Sequence, residues 1–65
     1  MKNKIKELRI EKKLSQQDLA KILETTQDTI SLWELNKRQP NAEMLIRIAD
    51  YFECSIDYLV GRTDY

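Results

Sequence analysis

The chain has no histidine and only one cysteine, one glycine and one proline among its 65 residues. Without His, and with Cys54 alone, there is no ligand set for zinc. A lone cysteine cannot staple a small fold, so the chain must stand on its core or on oligomerisation. Cys54 reads as a buried or half-buried thiol of a cytosolic protein. One Gly and one Pro leave little material for hairpins or long loops. No apolar run approaches the roughly 18 residues of a membrane span. The N-terminus is charged from Lys2 onward, unlike a signal peptide. An enzyme reading also lacks its parts: there is no His, no nucleophile beside a base, no glycine-rich phosphate loop and no metal set. The expectation is a soluble cytoplasmic protein that is not an enzyme, with no cofactor, no metal, no membrane partner and no small-molecule ligand.

What is present points to helix. Hydrophobic residues make up 42% and charged residues 34%, a globular rather than a disordered balance. Leu, Ile, Lys, Glu, Gln and Ala dominate, and these favour helix. There are no repeats, low-complexity runs or linkers, so residues 1–65 are expected to form a single all-α domain. A domain of this size buries only about 60% of its unfolded surface and must be simple.

There is also no surplus of charge: 11 Lys/Arg stand against 11 Asp/Glu. The distribution is uneven, however. Residues 1–38 hold nine basic and six acidic residues, a balance of +3, and residues 39–65 hold two and five, a balance of −3. A polarised domain can turn a positive face to phosphates while remaining neutral in sum.

Periodicity and caps predict five helices. The first spans about Lys2 to Lys13, with Ile5 and Leu8 on one face and Leu14 closing it. Ser15-Gln16-Gln17-Asp18 reads as a capping box that opens a second helix to Leu23, with Leu19, Ala20 and Leu23 inward. Thr26 caps a third over Gln27 to Leu35, with Ile30 and Trp33 in the core and Leu35 covering the core's edge. Pro40 ends the following loop. Asn41 caps a fourth helix that buries Leu45, Ile48, Ala49 and Phe52. Ser55 caps a fifth through Val60, with Ile56 and Leu59 inward, and Gly61 sits where a left-handed cap wants glycine.

Two short helices joined by about three residues match the spacing of a helix-turn-helix, whose second helix lies in the major groove. The stretches Ile5-Lys6-Glu7-Leu8-Arg9, Leu14-Ser15-Gln16-Gln17-Asp18-Leu19-Ala20, Thr29-Ile30-Ser31-Leu32-Trp33-Glu34, Lys37-Arg38-Gln39-Pro40 and Asp57-Tyr58-Leu59-Val60-Gly61 specify more. In this order they resemble the Cro/repressor-type helix-turn-helix family, also called xenobiotic-response-element-like regulators. The resemblance runs from about Ile5 to Gly61. It implies a compact five-helix, lambda-repressor-like fold and a sequence-specific regulator of transcription, a repressor, that binds double-stranded DNA.

Residue by residue, the resemblance implies base contacts from Gln27, Asp28, Ser31 and Leu32, and phosphate contacts from Arg9, Gln16, Thr26, Asn36, Lys37 and Arg38. It also implies a structural ion pair between Arg9 and Glu34. The chemistry is compatible. A Gln amide can pair bidentately with adenine N6/N7, and the N-terminus of a helix opened by Gln16 suits an anion. Gln16 could equally be a solvated first-turn residue. Asp28 could accept from cytosine N4, or simply complement the positive end of its helix. Leu32 could touch a thymine methyl, or pack on a neighbour or a partner.

Two departures from the family pattern stand out. Glu24 occupies a position usually held by Gly, and Leu35-Asn36 replaces Asn-Gly. A homodimer on a palindromic operator is expected, joined through Met44, Tyr51, Tyr58, Val60 and Tyr65. The alternative is a protein-interaction module on the same scaffold, of antitoxin or antirepressor kind, which Asp28, Leu32 and the net neutrality favour.

Overall fold

A computed structural model of the chain describes residues 3–62. Five helices and no strand are found among them: α1 Ile5–Glu11, α2 Gln16–Leu23, α3 Gln27–Glu34, α4 Ala42–Phe52 and α5 Ile56–Leu59. None is long and apolar enough to cross a membrane.

Local chemistry starts four of the five. The Ser15 hydroxyl accepts from the Asp18 N–H, and the Asp18 carboxylate accepts in return from the Ser15 N–H, each at 3.0 Å. This reciprocal box satisfies two of the donors that a helix start leaves unpaired. The Ser15 N–H, followed by the Ser15 hydroxyl, holds the Asp18 carboxyl below its ordinary range. Thr26, Asn41 and Ser55 likewise accept from the N–H groups of Thr29, Met44 and Tyr58.

α1 is shorter than its pattern predicts, because tertiary contacts fix its start and a left-handed turn fixes its end. Asn3 Oδ1 accepts the Ile5 N–H, while Asn3 Nδ2 donates to the Trp33 carbonyl and to Asn36 Oδ1. The start of α1 is thereby tied to the end of α3. The Lys4 N–H also donates to the Leu59 carbonyl at 2.8 Å. At the other end Lys13 turns left-handed and the Leu14 N–H reaches back to the Arg9 carbonyl.

All five helices close in this same way. A left-handed residue (Lys13, Glu24, Asn36, Glu53 or Gly61) donates three residues back, and the next N–H donates five residues back. That is the Schellman arrangement, which prefers glycine. Only Gly61 is glycine. The three charged residues take the left-handed conformation at a cost of roughly 1–2 kcal/mol each, and Asn36 tolerates it better.

These tight ends allow a small core. Ile5, Leu19, Leu23, Ile30, Ile48 and Leu59 are fully buried, with Ala20, Trp33, Ala49 and Phe52 close behind. Leu8, Leu14, Met44, Leu45, Tyr51 and Cys54 pack around them. Burial of the Cys54 thiol raises its pKa. Two expectations fail. Leu35 does not cover the core's edge but stands 61% exposed, since α3 ends at Glu34 and the chain turns away. Ile56 is 39% exposed rather than inward: it is the first residue of the one-turn α5, and Leu59, at its last position, takes the buried place.

The most extensive helix contact is between α2 and α3. α1 is fastened to α3 by Arg9 Nε, 2.7 Å from Glu34 Oε2, with a second contact of 3.3 Å to Oε1. The Glu34 side chain is only 5% exposed and that of Arg9 12%.

Two stability measurements check this account. Glu53→Gly removes a left-handed cost of about 1–2 kcal/mol against about 0.5–1 kcal/mol of added chain entropy. It should raise stability in urea unfolding by about 0.5–1 kcal/mol. Glu34→Ala strands a largely buried guanidinium and should lower stability by about 3–5 kcal/mol. A melting curve unchanged by that substitution would contradict the role given to the pair.

Candidate nucleic-acid interface

α2 and α3 meet through a turn of Glu24, Thr25 and Thr26, closed by the Thr25 N–H donating to the Ala20 carbonyl at 2.8 Å. Glu24 is left-handed there, so the missing glycine costs energy but leaves the turn intact. Its exposed carboxylate accepts from Arg47 of α4 at 3.2 Å.

The turn sets which face α3 presents. At 3.6 residues per turn, Gln27, Asp28, Ser31 and Leu32 fall within an arc of about 140°, on the side opposite Ile30 and Trp33. Gln27 and Asp28 are exposed, and Ser31 and Leu32 are half-buried. Thr26 at the start of α3 is exposed and caps it. Asn36, Lys37 and Arg38 are exposed just beyond its end. The Lys37 and Arg38 N–H groups both return to the Leu32 carbonyl, at 2.9 and 3.3 Å, which fixes the path of this basic loop. The four residues expected to read bases thus share one face of α3, and the three expected to hold phosphates follow it in an exposed loop.

Arg9 and Gln16 sit at the edge of this surface, engaged with one another's partner. Besides its two bonds to Glu34, Arg9 donates from Nη1 to the Leu14 carbonyl at 2.7 Å. Gln16 donates from Nε2 to Glu34 Oε1 at 3.0 Å and accepts from Gln27 Nε2 at 3.4 Å. Gln16 is therefore not a simply solvated residue. Arg9, Gln16, Ser31 and Glu34 line a cleft of about 210 Å³ together with Lys6 and Leu35.

Two residues of this region were not singled out from the sequence. Lys6 lies three residues before Arg9, hence on the same side of α1, and that spacing could have flagged it. Asn3 could not be found this way, because its partners Trp33 and Asn36 are 30 and 33 residues distant.

The expected dimer residues sit elsewhere. Met44 and Tyr51 pack partly on the core, and Tyr58 and Val60 are half-buried. Tyr65 lies outside the described residues. Tyr58 borders a second, open groove of about 510 Å³, shared with Glu53, Cys54, Ser55 and Asp57. Among the described residues no group of His, Cys, Asp and Glu could hold a metal ion.

Comparison with known proteins gives this geometry a family. A model described as Helix-turn-helix matches residues 5–59. An uncharacterized HTH-type transcriptional regulator of Bacillus subtilis, YqaE, is 38% identical over 56 residues, covering 86% of this chain and 48% of that protein. The HTH-type transcriptional activator BcrR of Enterococcus faecalis is 40% identical over 58 residues, covering 89% of this chain and 28% of BcrR. The chain thus spans about half or less of these two relatives. An uncharacterized HTH-type transcriptional regulator of Methanocaldococcus jannaschii is 39% identical and is itself 86% covered. Among solved structures, the P22 c2 repressor protein in complex with a synthetic operator superposes with a TM-score of 0.84 at 32% identity, covering 92% of this chain and 91% of the repressor. With the matched span running from α1 through α5, the chain belongs to the Cro/repressor-type helix-turn-helix family.

Proposed function

We propose that the chain is a sequence-specific transcriptional regulator that binds double-stranded DNA with α3 in the major groove. The observation that carries this reading is the outer face of α3 formed by Gln27, Asp28, Ser31 and Leu32, with Thr26 just before the helix and the exposed Asn36, Lys37 and Arg38 just after it. In it, an amide, a carboxylate and a hydroxyl stand where base edges would be read, and two cations stand where phosphates would pass. A similar repressor has been solved in complex with a synthetic operator, which supports DNA as the ligand. Gln27 pairs with adenine, Asp28 accepts from cytosine N4, and Leu32 offers apolar contact to a thymine methyl. Thr26, Gln16, Asn36, Lys37 and Arg38 position the domain on the backbone, and the small exposed part of Arg9 adds to them. Repression follows most directly, since a helix seated in the groove blocks the site by itself while activation needs contact with another protein. The site of action is cytoplasmic.

One domain offers few base contacts. Two copies on half-sites about 34–36 Å apart would share the task. The Cα framework measures 27 × 23 × 19 Å. With side chains added, two copies side by side come near that spacing. The homodimer would form through Met44, Tyr51, Tyr58, Val60 and Tyr65 on a palindromic operator.

A second reading is favoured by one observation. Leu35, 61% exposed beside the cleft, is an apolar residue on a surface meant for a polyanion. An interaction module would use Leu35, Leu32 and Asp28 to hold a protein instead.

Selection of bound sequences from random DNA, followed by binding at rising salt, separates the two readings. A recovered consensus and a linear log–log salt dependence support the regulator. No DNA retention at low salt, with a partner protein captured in the absence of DNA, would favour the module. On the selected site, Lys37→Ala and Arg38→Ala should each reduce the salt slope by about 1 and weaken all sequences alike. Gln27→Ala should instead relax preference at one base pair. Sedimentation should show two copies on the selected palindrome, and a single copy there would rule out the dimer.

A further inference from the structure

A continuous chain of polar contacts runs from the first helix to the reading surface. Arg9 holds Glu34, Glu34 accepts from Gln16, and Gln16 accepts from Gln27. The order of donors in this chain is not arbitrary. A carboxylate accepts hydrogen bonds and cannot donate them, whereas a glutamine amide can present either its oxygen or its NH₂ group. Gln16 must therefore turn its NH₂ toward Glu34, as it does at 3.0 Å. Its oxygen is then turned to Gln27, whose NH₂ donates to it across 3.4 Å. One hydrogen of Gln27 Nε2 is used in this way. Its Oε1 and its other hydrogen remain for a ligand, an acceptor and a donor of the kinds that the adenine N6/N7 edge requires.

We infer that Glu34, which does not itself touch a base, is a positioning residue that sets the amide polarity of Gln27 through Gln16 and so contributes to base preference. The inference rests on the reading of α3 as the DNA-reading helix. Burial makes the device rigid: the Glu34 side chain is 5% exposed and is pinned by the two Arg9 contacts. The Glu34–Gln16 contact is partly buried, whereas the last link, from Gln27, lies at the exposed surface. Gln27 is thereby biased toward one sense before DNA arrives, and less ordering of its side chain remains to oppose binding.

The test is a double-mutant analysis of base preference. Binding of the wild type, Gln27→Ala, Glu34→Gln, Gln16→Met and the Gln16→Met/Gln27→Ala double variant is measured against the selected operator and its single-base-pair variants. Glu34→Gln keeps size but can face Gln16 with either end of its amide. Gln16→Met keeps length and breaks the chain without touching the Arg9–Glu34 pair, so it serves where Glu34→Gln unfolds. A good bidentate contact is worth roughly 10- to 100-fold in discrimination. Both single variants are expected to lose about fivefold or more of the preference at the one position that Gln27→Ala relaxes, and nothing at other positions. In the double variant that preference should fall no further than in Gln27→Ala alone. Gln16→Met also removes a proposed phosphate contact and should weaken every sequence alike, so preference and not affinity is the readout: folded variants that keep the full preference would overturn the inference while leaving the DNA-reading role standing. A wild type that selects no sequence would overturn that role and the inference together.

Discussion

The carboxylate of Glu34 is the group on which the reading surface depends. It stands on the last residue of α3, next to the buried Trp33, and takes hydrogen bonds from α1 and α2. An ionised acid in so dry a place would be destabilising alone. Three hydrogen bonds offset that cost, two from the Arg9 guanidinium and one from the Gln16 amide, and the two donor residues stand on different helices. Arg9 ties in α1, and through its bond to the Leu14 carbonyl it also ties in the turn before α2. Gln16 ties in the first turn of α2. A hydrophobic substitute of similar volume could give equal stability. It could not specify the angle between three helices and at the same time leave their common surface polar for a ligand made of phosphates and base edges.

The remainder of the framework is built for shortness. Five helices within 60 described residues leave connections of only a few residues, and each helix closes by the same left-handed turn. Three of those turns place charged side chains where glycine would be easier. The conformational cost is borne by a core in which Leu19, Ile30, Ile48 and Leu59 have no exposed surface. Stability has thus been spent on backbone geometry, and Glu24 shows the return. The turn that aims α3 keeps its shape there without the glycine usual in the family, helped by its ion pair with Arg47 across the α2–α4 contact.

What the sequence disclosed follows from the range of the interactions involved. Ser15, Thr26, Asn41 and Ser55 were legible as caps because cap and capped N–H lie three residues apart. The buried stripes of α2, α3 and α4 were legible because they obey a period of 3.6. The limits of α1 were not, since Asn3 is held by residues at the far end of α3 and Lys13 turns to bring Leu14 inward. Leu35 and Ile56 were assigned to the interior by hydrophobicity, but each lies where a helix ends and its face runs out. The Arg9–Glu34 pair came from resemblance to a family and not from spacing, and the link from Glu34 through Gln16 to Gln27 emerges only when three helices are assembled.

Net charge, finally, is a poor guide to what such a domain can bind. Of the six acids in residues 1–38, four have partners within the fold: Glu7 with Lys4, Glu24 with Arg47, Glu34 with Arg9, and Asp18 with Ser15. At physiological salt a charge is screened over about 8 Å, and the framework is 27 Å long. A phosphate near Lys37 and Arg38 therefore responds to its immediate surroundings and not to the total. The lack of surplus still has a consequence. Few counterions can be released per domain, so non-specific attraction is weak and discrimination must come from base contacts. Under the function proposed above, that would place unusual weight on Gln27 being held in the right sense, and on a second copy to double the contacts.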